Sequence, residues 1–228
     1  MIMLKKVGNS LYDRQRPSFA NLILNILLIV IILIFVAEII FNMYFMNIYV
    51  KGKSMMPTLI GAPTAGNNSI LSGGDYVFVD SHAIPDYSDI VVAKTTSAEG
   101  MSYNIIKRVI AFGGDTVKID RGQLYLKRAG EDEFTKIQED YVAVENNDPT
   151  VVVNTFETHV VKEGCMFLMG DNRNVSEDSR QKGDFPMESL VGVVPQWSID
   201  NKQWITSIYT FFEFTLGFNR LNSKMYGD

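Results

Sequence analysis

The sequence has few of the side chains that build metal centres or disulfides. Its 228 residues include one cysteine and two histidines. The single Cys165 has no partner for an intramolecular disulfide, and so few thiol and imidazole ligands argue against a structural zinc site. Cys165 stands in the apolar stretch Cys-Met-Phe-Leu-Met, which favours a small buried core residue over a reactive thiol. We therefore expect no bound metal.

Positive charge is also scarce. The chain carries 21 lysines and arginines against 26 acidic residues, a formal net charge of -5. Because binding to phosphates requires clustered Lys and Arg, and the sequence has no such cluster, we expect no nucleic-acid partner. With 46% hydrophobic residues, the chain has room for a membrane anchor and one well-buried domain, but not for two large domains.

The longest apolar run lies near the N-terminus. From Phe19 to Ala37 only two asparagines interrupt it, and its apolar character resumes beyond Glu38. A transmembrane helix needs about 20 such residues, whereas the apolar part of a cleavable signal peptide has only about 7–15. We therefore predict one transmembrane anchor over residues 19–46, embedded in the lipid bilayer.

Basic residues indicate the direction of this anchor. Four precede the apolar run and two follow it closely: Lys5, Lys6, Arg14, Arg16, Lys51 and Lys53. Because the more basic flank of an anchor stays in the cytoplasm, we expect residues 1–18 to be cytoplasmic and the chain after the anchor to be extracytoplasmic. The expected location is the cell membrane, crossed once.

After residue 70 the pattern indicates a β domain. Short runs of branched and aromatic residues alternate with glycine-containing turns such as Arg121-Gly122-Gln123. The runs lie at 76–79, 90–92, 105–110, 117–119, 124–126, 151–153 and 166–169. Such spacing is typical of a compact, mostly β domain.

Two segments receive no chemical role. Residues 128–149 are acidic and polar, and we predict solvated loops and an edge hairpin there. In the C-terminal segment 204–228, residues 204–218 are apolar but include Glu213, and they are too few to span a bilayer easily. They either lie on the membrane surface or pack on the domain, and the sequence allows both.

A serine with a lysine partner is the candidate chemistry. Ser54 follows the anchor closely, but a serine hydroxyl is a poor nucleophile until a nearby base takes its proton. His82 and His159 have polar surroundings without the glycine-flanked turn of many serine hydrolases. A lysine base must lose charge through burial, and Lys107 has branched apolar residues on both sides in a predicted strand. Lys53, in a Gly-Lys-Ser loop, suits this role less well.

Four motifs resemble the conserved boxes of the bacterial type I signal peptidases. The matching segments, in order, are Ser54 to Leu59, Gly74 to Val79, Lys107 to Ile110 with Gly114-Asp115, and Gly170 to Arg180. The last matches almost residue for residue, and the match extends to about Val194. Four boxes in this order after an N-terminal anchor identify the sequence as a member of this family, close to its Gram-positive branch.

The resemblance implies a fold and a catalytic pair. The fold is a compact, mostly β, antiparallel domain over residues 47–203, preceded by one N-terminal transmembrane helix and carrying a non-catalytic β insertion at about 116–165. Ser54 would attack the scissile carbonyl, and Lys107 would take its proton and return one to the leaving amine. A water would then hydrolyse the acyl-enzyme.

The resemblance also implies supporting residues. Ser176 would accept a hydrogen bond from the Lys107 amine and orient it, as a third group does in other triads. Four further charges would form structural ion pairs that tie the last box to the lysine strand: Arg108, Asp171, Asp178 and Arg180.

Two positions depart from the family pattern. Gly52 stands where some members have a serine that donates to the oxyanion, so the oxyanion hole would rest on the Ser54 backbone N–H and a second donor not yet assigned. Gly113 replaces a frequent proline before Gly-Asp, which we expect to loosen that turn without affecting the catalytic pair.

The implied activity is removal of N-terminal signal peptides from exported preproteins with Ala-X-Ala cleavage sites, without a cofactor. A narrower hypothesis limits the substrates of the enzyme to a few surface or pilin-like proteins. A hypothesis from another functional class makes the chain an anchored β module that binds partners and has lost catalysis, although both Ser54 and Lys107 are present. The anchor and the last box disfavour a soluble repressor-type, self-cleaving protease.

Overall fold

A computed structural model describes residues 19–63, 73–97, 99–146, 148, 150 and 155–216. The predictions made for residues 1–18, 151–153 and 217–228 lie outside the described residues. The chain divides into two compact units, Met1–Met43 and Tyr44–Asp228.

The first unit is built on one apolar helix. Helix α1 covers Phe19–Tyr44, and none of its residues is buried by protein. Its 26 residues rise about 39 Å at 1.5 Å per residue, more than the hydrocarbon thickness of about 30 Å. Among the described residues it is the one helix long and apolar enough to cross a membrane. It ends two residues before the predicted boundary, because Phe45 and Met46 already pair with a strand.

Among its described residues, the second unit contains eleven strands and three further α-helices. The strands are β1 (Phe45–Tyr49), β2 (Tyr76–Asp80), β3 (Ile90–Thr96), β4 (Ser102–Phe112), β5 (Thr116–Asp120), β6 (Gln123–Lys127), β7 (Thr135–Lys136), β8 (Phe156–Val160), β9 (Cys165–Met169), β10 (Phe185–Pro186) and β11 (Leu190–Val194). The helices are α2 (Ser179–Lys182), α3 (Gln196–Asp200) and α4 (Lys202–Leu216).

These strands form two antiparallel sheets. The main sheet has seven strands in the order β1-β2-β11-β3-β4-β9-β10, and the second has four in the order β7-β6-β5-β8. Every strand pair in both sheets is antiparallel. The predicted fold class, an antiparallel β domain after one apolar helix, is therefore confirmed.

The turn between β5 and β6 lies where the sequence predicts it. Its two residues, Arg121 and Gly122, have φ of 46° and 82°. Two positive φ values characterise the turn whose twist matches the strands of a tight hairpin, and glycine adopts one of them without steric cost.

One hydrophobic core joins the two sheets. Val117 and Leu124 of the second sheet pack in the same buried cluster as Phe167 and Met169 of the main sheet. Cys165, expected to be buried, is only partly buried and packs against this cluster. The insertion at 116–165 is thus continuous with the rest of the domain.

Gly113 lies at a close approach between chain segments. A Cβ at this position would lie 2.8 Å from the carbonyl oxygen of Lys162 and 2.8 Å from the Cα of Glu163. The turn is therefore tightly packed rather than loosened, and any side chain here would force backbone to move.

Helix α4 packs against β2. The Tyr76 backbone N–H donates to Thr206 Oγ1 at 2.8 Å, and the Tyr76 ring stacks on that of Tyr209 with centroids 5.1 Å apart. The opposite side of the helix exposes Trp204 and Phe211, which are 69% and 62% accessible. Helix α4 thus packs on the domain and still presents an aromatic surface.

The shared core predicts one cooperative unfolding transition for the β domain. Leu124→Ala removes a side chain that is 1% exposed, so we expect it to lower the free energy of unfolding by about 2–5 kcal/mol through lost burial and a cavity. Val160→Ala, at a side chain that is 60% exposed on the same sheet, should change it by less than about 0.5 kcal/mol. Circular dichroism of the full chain during denaturant unfolding measures both. Two separate transitions would contradict a shared core.

Candidate active site

The candidate nucleophile lies in a loop that closes on itself between β1 and β2. The Gly52 N–H donates to the Ala62 carbonyl at 2.7 Å, and the Ala62 N–H donates to the Val50 carbonyl at 3.0 Å. A Cβ on Gly61 would lie 1.7 Å from the Gly52 carbonyl oxygen, so only glycine fits there. This loop fixes the backbone on which Ser54 sits. The sequence analysis did not identify Gly61, because the residues around it give no sign of this contact.

Lys107 meets Ser54 from the middle of β4. Its Nζ lies 2.8 Å from Ser54 Oγ and donates to the Ile106 carbonyl at 3.0 Å. The side chain is only 5% exposed, and its strand lies between β3 and β9 in the main sheet. The structure therefore brings the two predicted catalytic residues into hydrogen-bond contact.

The surroundings of Lys107 make its amine a weaker base. Burial, which disfavours the charged ammonium, lowers the pKa of Lys107 to about 8, while the carboxylates of Asp178 and Asp171 oppose that shift. An amine with this pKa is neutral in a substantial fraction of molecules just above neutral pH. The neutral amine has a lone pair that can accept the Ser54 proton.

The segment from Gly170 to Arg180 packs directly on the nucleophile. The Asn172 N–H donates to the Ser54 carbonyl at 2.9 Å. At Gly170 a Cβ would lie 2.4 Å from the same carbonyl oxygen and 2.3 Å from Ser176 Oγ, so glycine is required for this approach. The position of Ser54 consequently depends on a segment more than one hundred residues later.

Ser176 lies near the site but does not make the expected hydrogen bond. Its hydroxyl is buried beside Gly170 and has no hydrogen-bond partner among the described residues. The Lys107 amine instead contacts Ser54 Oγ and the Ile106 carbonyl. The predicted contact between Ser176 and Lys107 is thus absent from this conformation, because the amine is satisfied elsewhere.

Arg108 and Asp171 tie the last box to the lysine strand, as predicted. The guanidinium donates to both carboxylate oxygens, with Nε–Oδ1 at 2.8 Å and Nη2–Oδ2 at 2.6 Å. Asp171 also accepts from Thr58 Oγ1 at 2.5 Å, and Arg108 donates to the Ser88 carbonyl at 2.6 Å. This pair therefore connects the nucleophile loop, β4 and the last box.

Asp178 and Arg180 form an ion pair within the last box. Arg180 donates to Asp178 from Nε at 2.8 Å and from Nη2 at 2.9 Å, so this pair lies within the last box. Asp178 also caps α2 and accepts from the Gly170 N–H at 3.0 Å. The pair joins neighbouring residues and thereby shapes the box, and the Asp178 carboxylate also acts electrostatically on Lys107 of β4.

The geometry bears on the second oxyanion donor and on the histidines as alternative bases. The Gly52 N–H already donates to Ala62, so it does not serve as a second oxyanion donor in this conformation. His159 Nε2 lies 2.7 Å from Asp184 Oδ1, and His82 Nδ1 lies 3.1 Å from Ser81 Oγ. The candidate base in contact with Ser54 is therefore the lysine.

A buried ion pair was missed by the sequence analysis. Arg173 is 1% exposed, and its guanidinium pairs with Glu139, whose side chain is 7% exposed. Glu139 belongs to the acidic stretch 128–149, which was predicted to be solvated. The prediction was wrong here because composition alone does not show that an acidic residue faces a buried arginine.

Comparisons with known proteins agree with this site. Residues 22–197 match the family model described as signal peptidase, peptidase S26. Signal peptidase I of Streptococcus pneumoniae serotype 4 is 31% identical over 177 residues, which cover 65% of this chain and 79% of that protein. Signal peptidase I of Bacillus amyloliquefaciens is 27% identical over 207 residues, which cover 89% and 95%.

A solved structure is also similar in sequence. The crystal structure of a signal peptidase I from Enterococcus faecalis V583 is 29% identical, and the match covers 50% of this chain and 98% of that one. Its TM-score is 0.39, too low to bear on the fold.

Burial of the Lys107 amine should lower the free energy of unfolding at pH values where the amine is charged in the unfolded chain. Between pH 8 and 10.5 the unfolded chain binds a proton at this lysine more readily than the folded chain, so the free energy of unfolding should rise with pH across that window. At pH 7, Lys107→Met removes this penalty, and we expect a gain of up to about 3 kcal/mol.

Unfolding of the detergent-solubilised chain by urea, at several pH values, measures this gain. Lys94→Met, at an exposed lysine on β3, is the matched control and should leave stability nearly unchanged. A Lys107→Met variant no more stable than its parent at pH 7 would contradict the lowered pKa.

Proposed function

Because this chain belongs to the signal peptidase family, peptidase S26, we propose that it removes N-terminal signal peptides from exported preproteins. It acts as a serine endopeptidase anchored in the membrane by α1. The observation that carries the mechanism is the contact of 2.8 Å between Lys107 Nζ and Ser54 Oγ at a buried amine.

The first half of the reaction forms an acyl-enzyme. Neutral Lys107 takes the hydroxyl proton of Ser54 as Oγ attacks the scissile carbonyl carbon. The Ser54 backbone N–H donates to the oxyanion, together with a second donor. The lysine ammonium then gives its proton to the leaving amine, and the peptide bond breaks.

The second half restores the enzyme. Lys107, neutral again, takes a proton from a water that attacks the ester carbon. The tetrahedral intermediate collapses, Ser54 Oγ leaves and receives the proton, and the carboxyl product departs. Ser176 is the proposed orienting partner of the amine during the reaction, once Nζ no longer donates to Ser54 Oγ.

The cleavage site follows from what a signal peptide presents. Such a peptide has an apolar segment followed by small residues, so we propose cleavage at Ala-X-Ala sites, with the substrate added as a strand beside the nucleophile and lysine strands. The N-terminus is cytoplasmic and the catalytic domain extracytoplasmic. Processing of several unrelated preproteins would exclude the narrower reading of a peptidase for surface or pilin-like proteins.

The acid side of the pH profile tests the mechanism. Because Lys107 acts as a base only when neutral, kcat/KM should fall about tenfold per pH unit below its pKa of about 8. Ser54→Ala and Lys107→Ala should both lose preprotein cleavage, and Lys94→Ala is the matched lysine control. Each variant is assayed as full chain in detergent with an Ala-X-Ala preprotein.

Other results would redirect the proposal. Cleavage by Lys107→Ala at a rate comparable to the parent would make another group the base, with His82 and His159 as the candidates. Unchanged processing in both variants would support the alternative of a partner-binding β module.

The aromatic side of α4 is proposed to lie on the membrane surface. Ile205 and Tyr209 face the domain, whereas Trp204 and Phe211 are exposed, and Trp197 of α3 is 41% exposed. Large aromatic residues on one side of an amphipathic helix favour the interface between water and lipid. The helix follows residue 197, where the match to the family model ends.

Tryptophan fluorescence tests this placement directly, because the chain has only two tryptophans, Trp197 of α3 and Trp204 of α4, and both are partly exposed. In proteoliposomes of the full chain, lipids brominated in the acyl chain should quench the emission, and aqueous iodide should quench it weakly. The control is the triple variant Trp197→Phe/Trp204→Phe/Phe134→Trp, which places the only tryptophan directly before β7. Its emission should be quenched strongly by iodide and weakly by the brominated lipids. Strong iodide quenching of the parent would place α4 away from the lipid.

A further inference from the structure

The acidic stretch of the insertion contains a segment that crosses the last box. We call residues 137–146, which follow β7, the strap. Its start is fixed on β6, where the Ile137 N–H donates to the Leu124 carbonyl at 3.0 Å and Gln123 Nε2 donates to the Ile137 carbonyl at 2.9 Å. Its end is held by Asn174, whose Nδ2 donates to the Glu145 carbonyl at 2.9 Å.

Glu139 of the strap pairs with a buried arginine of the last box. Both terminal nitrogens of Arg173 donate to the Glu139 carboxylate, one of them at 3.0 Å. The third guanidinium nitrogen, Nε, donates to the Gly170 carbonyl at 3.1 Å. Arg173 thus spans the distance between the strap and the glycine that packs on Ser54.

Both side chains of this ion pair are buried, so water cannot take the place of either partner. Burial disfavours the charged guanidinium, but the Glu139 carboxylate, together with Tyr141 and Asp171, outweighs burial and holds the pKa of Arg173 above its ordinary value. Without this carboxylate the arginine would be an uncompensated buried charge. The surrounding backbone would then have to move to let polar groups or water reach it. The conformation of the last box therefore depends on Glu139.

Tyr141 of the strap reaches the second arginine. Its hydroxyl donates to Glu139 Oε1 at 2.7 Å, and its ring centroid lies 3.8 Å from the guanidinium carbon of Arg108. Burial, then the nearby Glu139, raises the pKa of Tyr141 well above its usual range, so the hydroxyl remains a donor. The ring face attracts the guanidinium. Arg108 is the residue that holds Asp171.

Both arginines lead to the nucleophile. Through Arg173 the strap holds Gly170, which packs against the Ser54 carbonyl. Through Arg108 it holds Asp171, which accepts from Thr58 in the nucleophile loop. The strap itself contacts neither Ser54 nor Lys107 in these interactions, so its influence is on their alignment.

We propose that Glu139 and Tyr141 are positioning residues for the peptidase reaction, acting through Arg173 and Arg108 on the alignment of Ser54 with Lys107. This inference rests on the proposed function. The insertion would then contribute to catalysis, although its own strands hold no reacting group. A misplacement of about 1 Å at reacting atoms costs about a hundredfold in rate.

Steady-state cleavage of an Ala-X-Ala preprotein by the full chain tests the proposal. We expect Glu139→Gln to lower kcat by about 10–100-fold with KM changed less than about threefold. The change misaligns Ser54 with Lys107 but does not alter the residues that bind the substrate. Tyr141→Leu should lower kcat similarly, whereas Tyr141→Phe, which keeps the ring on Arg108, should retain most of it. Glu133→Gln, at an exposed carboxylate of the same insertion, is the matched control and should equal the parent.

A second variant separates positioning from folding. Glu139→Gln/Arg173→Met removes the unpaired buried charge, so its thermal midpoint should return toward that of the parent. Its kcat should stay low, because methionine cannot replace the hydrogen bond from Arg173 Nε to the Gly170 carbonyl. All rates are divided by the folded fraction, measured by circular dichroism at the assay temperature.

Two results would overturn the inference. One is a kcat per folded molecule of Glu139→Gln within twofold of the parent; the other is recovery of kcat together with stability in the double variant. Either result, with Ser54→Ala inactive in the same assay, would refute the positioning role and leave the proposed function intact. An active Ser54→Ala would refute the proposed function itself.

Discussion

The rest of the site depends on one contact, between a buried lysine amine and a serine hydroxyl 2.8 Å away. To act as a base near neutral pH the amine must lose its surrounding water, and a loop on the surface cannot provide that. Lys107, on β4 in the middle of the main sheet, is buried away from that water, and its contacts with Ser54 Oγ and the Ile106 carbonyl fix the amine. The nucleophile loop must then be brought to the lysine, and most of the interactions described above serve that purpose.

Two carboxylates of the last box are electrostatically unfavourable for the base. Asp171 and Asp178 each raise the pKa of Lys107, against the effect of burial. Both are engaged by a guanidinium in a two-bond ion pair, Asp171 by Arg108 and Asp178 by Arg180. A paired carboxylate exerts a weaker field at the amine than a free one. The arginines thereby allow carboxylates to brace the site while the lysine remains a usable base.

Several features could be predicted from residues close together in the sequence. The turn at Arg121-Gly122 and the apolar helix follow from local conformational preference and composition, and the structure shows both. Ser54 and Lys107 were identified from motif and flanking residues, and they meet in the structure. The end of the helix was placed two residues late, because Phe45 is as apolar in a strand as in a helix, and only pairing with β2 assigns it.

The sequence alone therefore determined the apolar anchor, the β character of the domain and the identity of the serine and lysine, since each is written in a short stretch of chain. Only the tertiary structure decided which distant residues meet. Glu139 and Arg173 are 34 residues apart, and Thr58 and Asp171 are 113 apart. It also showed Ser176 beside Gly170 without a partner. Such contacts arise from the packing of two sheets, and the periodicity and composition of single segments carry no record of them.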